Sequence, residues 1–182
     1  SRRESRGNVG KPIRMMVVGI PNVGKSSFIN RMAGGKRTKV EDRPGVTRSQ
    51  QWVKVNGGPG LNNLDLLDMP GVLWPKFEDP LVGEKLAFTG AIKDDIMDIE
   101  LLAARLLEFL NENYRQMICG RYRLEENEVT DLAGFDLLSL IGKKRGMLIS
   151  GGEVNTERAA IMVLDEFRSG KIGRISLEAP TA

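Results

Sequence analysis

The stretch IRMMVVGIPNVGKSSFINRM, residues 13–32, decides the fold. Residues 13–18 form a short apolar run closed off by Pro12 and Gly19, and apolar spacing resumes at helical period from Ser26 to Met32, so the order is strand, loop, helix. The loop between them, GIPNVGKS at residues 19–26, satisfies the pattern G-x-x-x-x-G-K-[ST] in the context that gives the pattern meaning. A loop with glycine at both ends can wrap a phosphate chain with successive backbone N–H groups, and the following helix adds its positive end. Pro21, Asn22, Val23, Gly24, Lys25, Ser26 and Ser27 are the expected lining residues. Lys25 would neutralise the β- and γ-phosphates, and Ser26 would place its hydroxyl on Mg²⁺. The alternative is a glycine-rich turn that holds nothing. A second Asn-Val-Gly-Lys, at residues 8–11, lacks both a preceding strand and a hydroxyl residue after the lysine, and is rejected as a phosphate site.

Two more elements fall at suggestive distances. QQWVKV and NLDLLDM read as strands joined by the turn-forming NGGPGLN. The second strand ends at Asp68, followed by Met69, Pro70 and Gly71. A carboxylate there can hold Mg²⁺ through water, while the Gly71 N–H can reach a γ-phosphate. Thr47 sits in a polar, basic loop punctuated by Pro44 and Gly45, where its hydroxyl would complete the metal shell once a γ-phosphate is present. Each signal is weak alone. In this order they describe a nucleotide switch in which Lys25, Thr47 and Gly71 act on the terminal phosphate and Ser26, Thr47 and Asp68 hold Mg²⁺.

Composition narrows the chemistry. The 182 residues contain one cysteine and no histidine, which excludes an internal disulfide, a multi-thiolate metal site and the commonest general base. No apolar run is long enough for a membrane-spanning helix, and the basic start lacks the apolar centre of a secretory signal, so a cytosolic chain is expected. The first fifty residues hold 12 Lys or Arg against 3 Asp or Glu, whereas the remainder holds 15 against 21. Part of that bias is a solvated arm at residues 1–12, read as a linker with no fold of its own. From Asp94 the apolar spacing is three and four, with Ile96, Ile99, Leu102, Ala103, Leu106, Leu107 and Leu110 on one stripe of a long helix. EVTDLAGFDLLSLIGKKRG reads as a further helix, and NTERAAIMVLDEFRSG as another, capped near Thr156 and closed at Gly170. The expected organisation is therefore an arm at 1–12, an α/β nucleotide domain at 13–90 and an all-helical domain at 91–182. Lys143, Lys144, Arg145, Arg168, Lys171 and Arg174 in the latter could meet RNA phosphates or form a plain solvated face. Cys119 reads as a structural thiol, Trp52 as packed on its sheet, and Trp74 as core or as a partner-facing anchor.

GIPNVGKSSFINRMAGG, RPGVTRSQQW, LLDMPGVLWPKF and the tail FRSGKIGRISLE together resemble the ribosome biogenesis GTPase A family, bacterial and mitochondrial GTPases with circularly permuted motifs. The resemblance implies a partial, permuted Ras-like P-loop domain followed by a small helical domain that docks on rRNA of the large ribosomal subunit. It implies GTP and GDP as ligands, Mg²⁺ and a K⁺ at Asn22 as cations, a monomer, a bacterial cytoplasm or alternatively a mitochondrion, and neither DNA nor membrane as partner. No guanine-reading Asn-Lys-x-Asp follows Asp68; the permuted order puts that motif ahead of the phosphate loop, so the chain reads as a fragment without it. Where many related GTPases carry a water-positioning glutamine this chain has Val72, whose alkyl group cannot accept a proton. Asn22 is either a K⁺ ligand or a turn residue that tolerates unusual φ. Slow hydrolysis by the chain alone is expected. Two other readings stay open: a P-loop ATPase or kinase whose helical tail binds protein, and a nucleotide-free RNA-binding module.

Overall fold

The computed structural model describes residues 12–35, 49–56, 63–73 and 78–178. The chain divides into two compact units, Ser1–Lys76 and Phe77–Ala182.

In the first unit, β1 (Ile13–Val17) and β2 (Gln51–Val55) flank β3 (Leu64–Asp68) in the order β1-β3-β2. β1 runs parallel to β3 with Val17 opposite Asp68, and β2 runs antiparallel with Gln51 opposite Asp68. The expected hairpin pairing of the second and third strands is present, with residues 57–62 of its turn outside the described residues. The period of two turns Val53, Val55 and Leu66 to one face, where Ile29 of α1 (Lys25–Met32) is fully buried against them. Trp52 is half exposed rather than packed in the sheet, because its position alternates to the opposite face, where the Arg14 guanidinium lies 5.6 Å from the ring centre.

The second unit is helical: α2 (Pro80–Phe88), α3 (Ile99–Asn113), α4 (Arg115–Tyr122), α5 (Glu126–Val129), α6 (Gly134–Lys144) and α7 (Thr156–Arg168). α3 is its centre, with Leu106, Leu107 and Leu110 fully buried between α6, α7 and their neighbours. α6 crosses α3 at backbone contact: a Cβ on Gly134 would sit 2.2 Å from the Ala104 carbonyl oxygen. The Gly134 N–H donates to Glu108 Oε1 of α3 at 3.1 Å, which supplies the cap that Ala133 has no side chain to give. Cys119 is buried, and burial pushes its thiol above the ordinary range, as suits a structural cysteine. Among the described residues no helix is long and apolar enough to cross a membrane.

Four expectations shift. α2 packs on α3 and α7, so the division falls after Lys76 rather than near residue 90. The long helix begins at Ile99, not Asp94, because the Asp98 carboxylate accepts the Glu100 and Leu101 N–H groups; Asp94–Ile96 is a 3-10 turn and Ile96 is exposed. EVTDLAGFDLLSLIGKKRG is two helices, broken between Val129 and Gly134 so that Gly134 can reach Ala104. Asn155, not Thr156, caps α7 by accepting from the Arg158 N–H, and the Thr156 hydroxyl bonds Glu100 instead.

Candidate functional site

The phosphate-loop residues lie where β1 hands over to α1. Gly24 takes φ 87°, a left-handed conformation that side chains rarely adopt, and its carbonyl accepts the first helical bond from Phe28 at 2.8 Å. Asn22 also has positive φ, 58°, which agrees with its reading as a turn residue. Pro21 is half-buried, while Asn22, Val23, Gly24 and Ser27 are exposed along the outer rim.

Lys25 folds back over the loop. Its Nζ donates to the Ile20 carbonyl at 2.7 Å and the Gly19 carbonyl at 3.1 Å. Burial holds its ammonium below the usual lysine range, and the nearby Asp68 charge pulls the other way. Ser26 and Asp68, 42 residues apart, meet directly: Ser26 Oγ donates to Asp68 Oδ2 at 2.8 Å. Asp68 is fully buried, and its Oδ1 has no hydrogen-bond partner. An orphaned carboxylate oxygen beside a hydroxyl suits a hard divalent cation such as Mg²⁺. Among the described residues no group of three or more acidic or cysteine side chains gathers to cage a metal. Gly71 closes the cradle from the side: a Cβ there would lie 2.5 Å from the Pro21 nitrogen. Thr47, which would complete the set, lies outside the described residues, as do Trp74, residues 1–11 and with them the rejected loop at 8–11. Val72 is exposed, 73% of its surface open to solvent.

The six basic residues of the helical unit separate. Lys143, Lys171 and Arg174 are exposed. Lys144 pairs with Glu128 at 3.2 Å, and Arg145 lies 5.5 Å over the Tyr122 ring and 3.7 Å from Glu166. Arg168, expected on an RNA-facing surface, turns inward because the end of α2 needs donors. Its Nε donates to the Phe88 carbonyl at 3.0 Å and its Nη2 to the Ala87 carbonyl at 2.9 Å. It also forks onto Asp94, with Nη1 and Nη2 each 2.7 Å from a carboxylate oxygen. The one cue in the sequence is its place in the last turn of α7; its partners lie more than seventy residues away.

Sequence reading also passes over Glu166, which is buried in α7. Arg121 binds it through two nitrogens at 2.5 and 3.0 Å, and this hydrogen bonding holds the Glu166 carboxyl below the usual carboxylate range. Burial first, and then the Glu166 charge, push the Tyr122 phenol upward.

A family model described as 50S ribosome-binding GTPase matches residues 14–118. The protein named Ribosome biogenesis GTPase A from Bacillus licheniformis is 49% identical over 177 residues, 97% of this chain and 60% of that protein. Its namesake from Priestia megaterium is 49% identical over 175 residues, 95% of this chain and 58% of its own length. A GNP-bound YlqF from T. maritima superposes with a TM-score of 0.56 at 25% identity, covering 91% of this chain and 58% of its own. A GDP-bound YlqF shares the fold at a TM-score of 0.63, covering 97% of this chain and 64% of its own, at 24% identity. The chain thus spans about 60% of the length of the curated relatives it matches.

Proposed function

The chain belongs to the 50S ribosome-binding GTPase family, and from that premise we propose that it binds GTP and GDP with Mg²⁺ on the 19–26 loop, hydrolyses GTP, and couples nucleotide state to association with the large ribosomal subunit and its rRNA in a bacterial cytoplasm. The observation that carries this reading is the convergence of Lys25, Ser26, Asp68 and Gly71 on one loop. The loop amides and the positive end of α1 attract phosphate oxygens, and Lys25 exchanges its two carbonyl partners for the terminal phosphates. Mg²⁺, when bound, offsets charge that develops on the phosphates. Ser26 and Asp68 are the groups that would hold it, Ser26 by its hydroxyl and Asp68 by its orphaned oxygen, with Thr47 as a third ligand.

The Val72 side chain cannot accept a proton from the attacking water, so the chain alone turns over slowly; Asn22 is the residue that would hold a K⁺, which would supply positive charge against the phosphates. The helical unit offers Lys143, Lys171 and Arg174 to rRNA phosphates, an association that weakens steeply with salt.

Calorimetry on the full-length protein tests the nucleotide reading. GTP and GDP should bind in the presence of Mg²⁺, ATP should not displace them, and Lys25→Ala should lose binding by about two orders of magnitude. Equal competition by ATP would turn the reading toward a P-loop ATPase or kinase. Unchanged binding by Lys25→Ala would remove the loop from the site altogether.

A further inference from the structure

Three helices of the helical unit meet at one buried carboxylate. α4 stops at Tyr122, where Arg123 takes the left-handed conformation with φ 55°, and α6 stops at Lys144 with Arg145 as its C-cap. Side chains from both ends reach Glu166 of α7, which is 7% exposed. Arg121 clasps it, with Nε donating to Oε2 at 3.0 Å and Nη2 to Oε1 at 2.5 Å. Arg145 brings its Nη2 to 3.7 Å from the same Oε1 and lays its guanidinium 5.5 Å from the centre of the Tyr122 ring.

Donors outnumber acceptors at this point. Each guanidinium carries several N–H groups in one plane, and a single carboxylate can accept only a few of them. Arg145 makes only long contacts among the described residues, to the Arg121 carbonyl at 3.5 Å and to Glu166 at 3.7 Å. The Tyr122 hydroxyl is buried without a hydrogen-bond partner, and burial pushes its phenol upward, so it stays protonated at neutral pH. Two guanidiniums and a phenol therefore gather around one acid. The group that completes such a set is an oxyanion.

The neighbouring acids are engaged elsewhere. Glu125 and Glu128 form the capping box of α5, Lys144 pairs with Glu128 at 3.2 Å, and Glu126 lines a cleft with Tyr114 and Arg115 at the start of α4. The end of α6 does not account for Arg145 either, since the carbonyl that its guanidinium approaches belongs to α4. The side chains of Arg121 and Arg145 are 31% and 35% exposed, which leaves part of each fork open to solvent. Without the carboxylate between them the two cations would repel and swing apart. Held by it, they present coplanar donors of the kind that match two oxygens of a phosphate.

We propose that Arg121 and Arg145 form a clamp for one backbone phosphate of RNA, and that Glu166 is the positioning residue that holds both guanidiniums toward it. The proposal rests on the RNA reading of the helical unit given above, and it adds to the exposed lysines a site built on Arg121.

Binding of the full-length protein to large-subunit rRNA, titrated across a series of KCl concentrations, tests it. Arg145→Gln should weaken binding about fivefold or more at low salt and reduce the slope of log K against log salt by about one, with nucleotide affinity unchanged. Glu166→Gln separates positioning from simple charge, because it removes a negative charge. Electrostatics alone would then tighten RNA binding, whereas loss of positioning should weaken it about threefold or more. Arg121→Lys keeps the charge and loses the fork, should also weaken binding, and serves where Glu166→Gln fails to fold. An unchanged salt slope in Arg145→Gln, or RNA binding that is equal or tighter in folded Glu166→Gln or Arg121→Lys, would overturn the clamp while Lys143, Lys171 and Arg174 still carried the RNA reading. A wild type that fails to bind the rRNA, or binds it without regard to salt, would instead overturn that reading and the clamp with it.

Discussion

Gly71 lies so close to Pro21 that a single added carbon would stand 2.5 Å from the Pro21 nitrogen and 2.6 Å from its Cα. Both neighbours are backbone, so neither can swing aside. The glycine of the Asp-x-x-Gly segment is therefore fixed by sterics as well as by any role of its N–H toward phosphate.

Gly71→Ala should destabilise the first unit by about 1–3 kcal/mol, the usual cost of overpacking a tight contact. It should also weaken nucleotide binding, because the loop has to retreat. Urea unfolding followed at Trp52, together with calorimetry, checks both; an unperturbed unfolding midpoint would show that the contact relaxes freely.

Gly134→Ala and Gly120→Ala should differ in sign. At Gly134 a Cβ meets the Ala104 carbonyl oxygen at 2.2 Å, and the α3 and α6 crossing would have to open, for a loss of about 2 kcal/mol or more. At Gly120, inside α4 and exposed, nothing lies within 4 Å, so alanine should stabilise by about 0.5–1 kcal/mol through helix propensity. Thermal melts of the two variants beside the wild type make the comparison.

Glu166 makes part of the stability depend on acid. Its folded carboxyl titrates below the usual range, chiefly through the hydrogen bonds from Arg121. The contribution is therefore complete above about pH 4.5, the ordinary glutamate region, and is lost as pH falls through the lower folded value. Glu166→Gln should cost about 1–3 kcal/mol at pH 7, less than a fully buried pair because Arg121 is partly solvated. The gap between variant and wild type should narrow as the pH drops from about 5 to 3, as read from urea midpoints.

The strand, loop and helix at residues 13–32 were legible because each carries its own punctuation: Pro12 before the run, Gly19 at the break, and Gly24 where only glycine fits comfortably. The β2 and β3 pairing was legible from two short strand-like runs joined by the glycine- and proline-bearing NGGPGLN. The meeting of Ser26 with Asp68 was readable as a role but not as a bond, since nothing local in either residue signals the other. α4 escaped because RQMICGRY carries a weak apolar stripe and an internal glycine; its helix is stabilised by Ile118, Cys119 and Tyr122 packing on distant elements. Arg168 looked like a surface cation for the same reason. Whether an arginine faces solvent or a helix end depends on carbonyls supplied by residues eighty positions earlier.

The sheet order β1-β3-β2 has a consequence for endurance. β3 is bonded along both edges, so its amides cannot fray without releasing two neighbours at once, and Asp68 terminates that doubly anchored strand. When the first unit loosens from its periphery inward, the carboxylate and the serine hydroxyl bonded to it are among the last groups to lose their places.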